Sequence, residues 1–278
     1  MEEQRTRTII ITGASDGIGA ASARQLRARG HDVVVVGRAP AKTEALAREL
    51  GAPFHVADYA RLADVRRLAA ELARYERIDV LANNAGGIMG AREVTADGFE
   101  KTFQVNHLAP FLLTTLLLPR LIASRATVIQ TSSGAANIWG RGFDVADLQN
   151  ARGYRPERAY GNGKLANILF TRELHRRHHT DGISAVAFHP GVVRSNFASD
   201  TTHLMRLLYR APLKYLMISP ERSGRRLTAL AEGEPGVAWQ PGAVYVKRRP
   251  MRVAFRDAGG RVARELWERS EEMLARAG

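Results

Sequence analysis

The chain has 278 residues, 45% of them hydrophobic and 25% charged, which is ample for the core of an α/β domain. There is no cysteine, which excludes disulfides and thiolate-held metals and agrees with a reducing, cytoplasmic location. The formal net charge of +13 invites an anionic partner, yet the basic residues are nearly all arginine and are spread over the whole length with no nucleic-acid recognition motif, so no nucleic-acid partner is expected.

The N-terminal residues carry no apolar run of the signal-peptide kind, and the apolar stretch 108–118 is broken by Pro110, so no membrane span is expected. Residues 8–12 are a β-branched run that stops at Gly13 and reads as a buried strand. The turn Gly13-Ala14-Ser15-Asp16-Gly17-Ile18-Gly19 follows, and then a helical pattern through Ala28 that Gly30 ends. With a second strand at 32–36, this is a β-α-β unit whose glycines and free helix-terminal amides suit a pyrophosphate.

The end of the second strand bears on which dinucleotide is bound. An acidic residue there would hold the adenosine ribose hydroxyls and repel a 2′-phosphate. This chain has Gly37, Arg38 and, one turn on, Lys42, a small residue followed by cations, which favours NADP(H). Asp16, inside the glycine turn, works slightly against that choice.

The alternation continues with a strand at 53–57 ending in Asp58, whose carboxylate could accept from the adenine amino group, and a helix at 61–75. A strand at 78–82 runs into Asn83-Asn84-Ala85-Gly86, at the strand end where open α/β sheets bind ligands. The stretch 96–124 reads as one long helix containing Asn106, either solvent-facing or a placed polar group. A strand at 127–131 ends at Ser132-Ser133-Gly134, and 134–159 reads as a loop over the site. Next comes a helix, ending near residue 179, with Tyr160 and Lys164 four residues apart on one face. An ammonium beside a phenol brings the phenol's pKa, ordinarily near 10, toward neutrality. A strand at 183–188 closes with His189-Pro190-Gly191; an amphipathic insertion at about 194–218, a helix at 220–231, a strand at 243–247 and a helix at 262–274 complete one domain over 1–278.

In this order, Thr12 to Gly19, Asn83-Asn84-Ala85-Gly86, Asn106, Ser133, Tyr160 with Lys164, and Pro190-Gly191 resemble the short-chain dehydrogenase/reductase family over nearly the whole chain. Residues 97–100, 103–108, 164–167 and 189–195 resemble its retinol-dehydrogenase-like branch. The resemblance implies an α/β Rossmann-type doubly wound domain with about seven parallel strands flanked by helices. It also implies a catalytic set of Asn106, Ser133, Tyr160 and Lys164. Tyr160 would exchange the proton with the substrate oxygen and Ser133 would hydrogen-bond that oxygen. Lys164 would hold the nicotinamide ribose and lower the tyrosine's pKa, while Asn106 would order a water between Lys164 and solvent. Cofactor contacts would come from Gly13, Ser15, Gly17, Ile18, Gly19, Arg38, Asp58, Asn84, Tyr160, Lys164, Pro190, Val193 and Ser195, and no metal is implied. Many relatives have Ser where this chain has Gly163, and with Gly161 and Gly163 in one helical turn a looser helix is expected there.

The function expected is NADP(H)-dependent hydride transfer between nicotinamide and a small carbonyl or alcohol, lipophilic because of the apolar residues between Leu204 and Met217. A catalytically silent NADPH-sensing protein on the same fold is the alternative, and the oligomeric state is left open.

Overall fold

The computed structural model describes residues 5–193 and 217–277. Strand β1 (Thr8–Thr12) contributes three wholly buried isoleucines. Alternation along a strand sends Ile10 to one face of the sheet and Ile9 and Ile11 to the other, where separate apolar clusters form. Strands β2 (Asp32–Gly37), β4 (Val80–Asn83), β5 (Thr127–Thr131) and β6 (Ser184–His189) are buried in the same two-sided way. This is why β2, β4 and β6 read as nearly continuous apolar runs, whereas β5 buries the polar Thr127 and Gln130 as well. Burying one such side chain contributes about 1.5–3 kcal/mol.

With β3 (Phe54–Val56), β7 (Val244–Val246) and β8 (Arg249–Pro250), the sheet has eight strands in the order β3-β2-β1-β4-β5-β6-β7-β8. All pairings through β7 are parallel, and β8 alone runs antiparallel to β7. The eighth strand exceeds the seven expected. It is two residues long, exposed and charged, with proline at the edge, so it carries no periodic signal.

Helices α1 (Gly17–Ala28), α2 (Pro40–Leu50) and α8 (Pro220–Glu232) cover the face that holds Ile9 and Ile11. Gly224 lets α8 lie against α1: a Cβ there would stand 2.9 Å from Ser22 N. On the other face lie α3 (Leu62–Leu72), α5 (Ala109–Ser124), α7 (Pro156–His178) and α9 (Arg261–Arg276). Phe111, Phe170 and Trp267 meet there with ring centroids 4.9–5.6 Å apart.

The helix expected from residue 96 begins at Lys101. Gly98 (φ +84°) turns the chain, with Thr95 N donating to Phe99 O, and the Glu100 carboxylate then caps the helix by accepting from Thr102 N and Phe103 N. A short α4 (Lys101–Phe103) passes through a π-helical turn (Gln104–Leu108) into α5. Among the described residues, Lys101–Ser124 is the one stretch long and apolar enough to cross a membrane, but 61% of its apolar window is buried in the fold, as in a core helix. The segment expected to be a loop, 134–159, instead carries α6 (Ala135–Ile138) and two 3-10 turns, and it buries Phe143 and Leu148. Most of the amphipathic insertion expected at 194–218, with Ser195, lies outside the described residues.

Candidate active site

The sequence order reverses between β1 and β4, and a crevice forms at the carboxyl ends of the strands there. Thr12 ties the two together: its hydroxyl donates to Ala82 O and accepts from Asn84 N and Ala85 N, both at 3.0 Å. Gly13 (φ +62°) lies so close to β4 that a Cβ would stand 2.7 Å from Ala85 Cα, and a Cβ on Gly19 would stand 2.5 Å from Gly13 O. Gly17 also has positive φ, and Asp16 caps α1 by accepting from Gly17 N at 2.7 Å. Ser15 and Ile18 are half-buried beside these glycines. At Gly13 and Gly19 the turn has no room for a side chain, and the backbone cradle so formed fits a dinucleotide pyrophosphate at the start of α1.

Asn84 is placed at this cradle, but its side-chain amide donates to Thr12 O and Gly13 O, and its oxygen accepts from Thr131. It holds the turn to β5, and its backbone N–H is given to Thr12. Asp58 lies at the end of β3, half-buried, with one oxygen accepting from Ala60 N. At the end of β2, a Cβ on Gly37 would run into Thr43 Oγ1 and stand 2.8 Å from Ser15 Cβ. Arg38 follows, exposed and in no ion pair among the described residues. Lys42, the other expected cation, lies 3.4 Å from an Asp16 oxygen. On the far side, Pro190 O accepts from Ser223 and Arg226, and Val193 is buried and bridges to Ile218.

Asn106 lies in the π-helical turn, wholly buried. Its amide donates to Gly87 O and Thr102 O, each at 2.8 Å, and its oxygen accepts from Gly87 N at 3.2 Å. It is a placed polar group and not a solvent-facing one. A Cβ on Gly86 would stand 2.6 Å from Asn106 Oδ1 and 2.9 Å from Lys164 Nζ, so β4's exit, the π turn and α7 converge on one point.

Lys164 is 2% exposed, donates to Thr131 O at 3.0 Å, and lies 5.6 Å from the centre of the Tyr160 ring. Burial pushes the amine down from 10.5 to about 7. Whether it is an ammonium near neutrality therefore depends on what surrounds it. Tyr160 is 7% exposed on the same α7 face. Of the two serines after β5, Ser132 is buried and donates to Lys164 O at 2.8 Å, fixing α7, whereas Ser133 is half-buried and accepts from Ala135 N.

The looser helix expected at Gly161 and Gly163 is corrected by the packing. A Cβ on Gly161 would stand 2.7 Å from Trp139 Cβ, and one on Gly163 would stand 3.2 Å from Asn106 Cβ. The two glycines allow α6 and the π turn to close on α7. Sequence reasoning did not single out Thr131 and Ser132 as positioning residues; their place at the carboxyl end of β5, where ligands bind in open α/β sheets, was the available signal. His107, next to Asn106, bonds Ser270 at 2.9 Å, and burial pushes its pKa down to about 3, so it braces the turn as a neutral ring.

A glycine cradle at the switch point of a parallel sheet, with a tyrosine and a buried lysine beyond it, belongs to the nucleotide-dependent oxidoreductases. Residues 7–205 match the short chain dehydrogenase family model, and the chain belongs to that family, whose members use NAD(P)(H) for hydride transfer on small alcohols and ketones. It is 40% identical over 272 residues to a Streptomyces sp. (strain C5) protein described as a candidate daunorubicin C-13 ketoreductase, covering 95% of this chain and 91% of that one. It is 36% identical to Retinol dehydrogenase 13 of Homo sapiens, covering 96% and 84%. A crystal structure of a Mycobacterium paratuberculosis protein superposes with a TM-score of 0.75 at 34% identity, covering 97% of this chain and 93% of that one. These relatives place the chain in the retinol-dehydrogenase-like branch.

Proposed function

We propose that this chain, acting as one domain in the cytoplasm, is an NADP(H)-dependent carbonyl reductase or alcohol dehydrogenase for a lipophilic substrate. The observation that carries the reading is the convergence of Tyr160, Lys164, Asn106 and Gly86 beside the glycine cradle. When bound, the nicotinamide supplies or accepts the hydride. In the reducing direction, the Tyr160 hydroxyl gives its proton to the carbonyl oxygen while the Ser133 hydroxyl donates a hydrogen bond to the same oxygen. Lys164, held by Thr131 O, sets the charge beside the phenol and offers its remaining donors to the ribose hydroxyls. Asn106 holds Gly87 on both sides, which fixes the floor under that amine.

The preference for NADP(H) rests on Gly37 and Arg38. A carboxylate-bearing side chain at 37 has no room beside Thr43 and Ser15, and the exposed Arg38 offers a planar fork of donors where the 2′-phosphate would lie. The lipophilic substrate is supported by the ketoreductase and retinol dehydrogenase relatives and by the apolar residues from Leu204 to Met217, of which all before Met217 lie outside the described residues. NADPH oxidation against a panel of aldehydes and ketones tests the reading. Binding of NADPH with no turnover on any of them would leave the silent NADPH-sensing alternative in its place.

A further inference from the structure

After β8 the burial of side chains alternates along the chain. Met251, Val253 and Phe255 are half-buried against the core, while Arg252, Ala254 and Arg256 are exposed. The outward arginines meet Arg141, which follows α6, around a groove of about 760 Å³ whose apolar wall is Val253 and Phe255. Phe143 stands edge-on to Phe255 behind it, with centroids 6.0 Å apart. The groove is tied to the candidate active site through α6. Asn137 donates to Arg252 O and accepts from Ala254 N, both at 2.8 Å, and Arg141 Nε donates to Asn137 O at 3.0 Å. That helical segment starts just after Ser133, and Gly140 rests on Gly161 O, one residue beyond Tyr160.

Three exposed arginines line this one groove, and among the described residues none of them has a carboxylate partner. The acids next to them in sequence are engaged elsewhere: Asp144 accepts from Ala146 N and pairs with Arg152, and Asp257 accepts from Val262 N and Ala263 N. Planar donor forks above an apolar wall match a carboxylate or phosphate joined to an apolar body.

We propose that the groove lined by Arg141, Arg252, Arg256, Val253 and Phe255 is an anion-recognition site that holds the charged end of an amphipathic carbonyl substrate, a carboxylate or a phosphate. The substrate role rests on the reductase reading above; the anion site does not. The test uses the full chain loaded with NADPH and three probes, a long-chain ω-oxo fatty acid, its methyl ester, and an alkyl phosphate of the same length. Binding is measured by calorimetry and reduction by NADPH oxidation, for the wild type, for the double variant Arg252→Gln/Arg256→Gln, and for Arg48→Gln on α2 as a charge control. NADPH affinity reports that each variant is folded.

The expected result is that the acid or the phosphate binds at least about tenfold more tightly than the ester. This preference should vanish in the double variant and survive in Arg48→Gln, and whichever anion binds more tightly names the source. Equal binding of acid, phosphate and ester by the wild type overturns the proposal, as does an anion preference that persists in the double variant. If the preference behaves as expected but the acid and ester both go unreduced, the anion site stands and its role in holding a carbonyl substrate falls, while the reductase reading is decided by the aldehyde and ketone panel.

Discussion

Replacing Lys164 by methionine keeps a long unbranched chain in the buried slot and deletes the amine that titrates there. Burial lowers that amine from 10.5 to about 7, a gap that corresponds to about 5 kcal/mol. Between those two values the unfolded chain holds the proton and the folded chain does not. Lys164 therefore makes folding stability rise with pH across that window. The penalty for burying an ammonium is full below pH 7 and fades toward pH 10.5. From about pH 7 to about pH 9 the change is about 2 kcal/mol. Urea unfolding of the wild type and Lys164→Met, without nucleotide, at steps between those values isolates the contribution, because groups common to both proteins cancel in the difference. The variant should be the more stable protein at the acid end and should lose about 2 kcal/mol of that advantage by the alkaline end. A difference that stays flat with pH would refute the desolvated amine and, with it, the charge control assigned to Lys164.

Tyr160→Phe should leave NADPH affinity intact and cut steady-state turnover by at least about a hundredfold, and unchanged turnover would mean that another group delivers the proton. Arg38→Asp should weaken NADPH far more than NADH in fluorescence titrations; equal losses would remove the 2′-phosphate from Arg38. Gly161→Ala gains helix propensity, yet its Cβ would stand 2.7 Å from Trp139 Cβ and 3.0 Å from Ala135 O. The overpacking should win, with a net loss of about 1–3 kcal/mol in denaturant unfolding, and a stabilised variant would show that α6 is free to move away.

The strands that build the crevice were legible because a parallel strand buried on both faces must be apolar throughout, as Ile9 to Ile11 are. The glycine cradle was legible because strand, glycine turn and helix follow one another without interruption. Less was visible where structure depends on partners distant in sequence. Gly161 and Gly163 read as helix-weakening residues, and only the approach of Trp139 and Asn106 shows why nothing larger fits. Lys42 reads as a cation suited to a phosphate, and the sequence does not show that Asp16 lies 3.4 Å from its amine. The start of the central helix was set five residues early because periodicity runs through Gly98, whereas the positive φ of that glycine and the Glu100 cap define the true start. The turns within 134–159 are too short for any periodic pattern, and they are held by contacts such as the pairing of Asn137 with residues 252 and 254.

The wide turn at Gln104–Leu108 has a consequence beyond where Asn106 points. A π turn carries one residue more than the α turn it replaces, so every side chain after it is rotated about 100° around the axis. Leu113, Leu117 and Leu121 are buried in the core because that extra residue sets their direction. Deleting a single residue from this turn would swing those side chains out of the interior while swinging Asn106 off Gly87. Folding and chemistry thus share one local irregularity, and neither can be re-tuned there without the other.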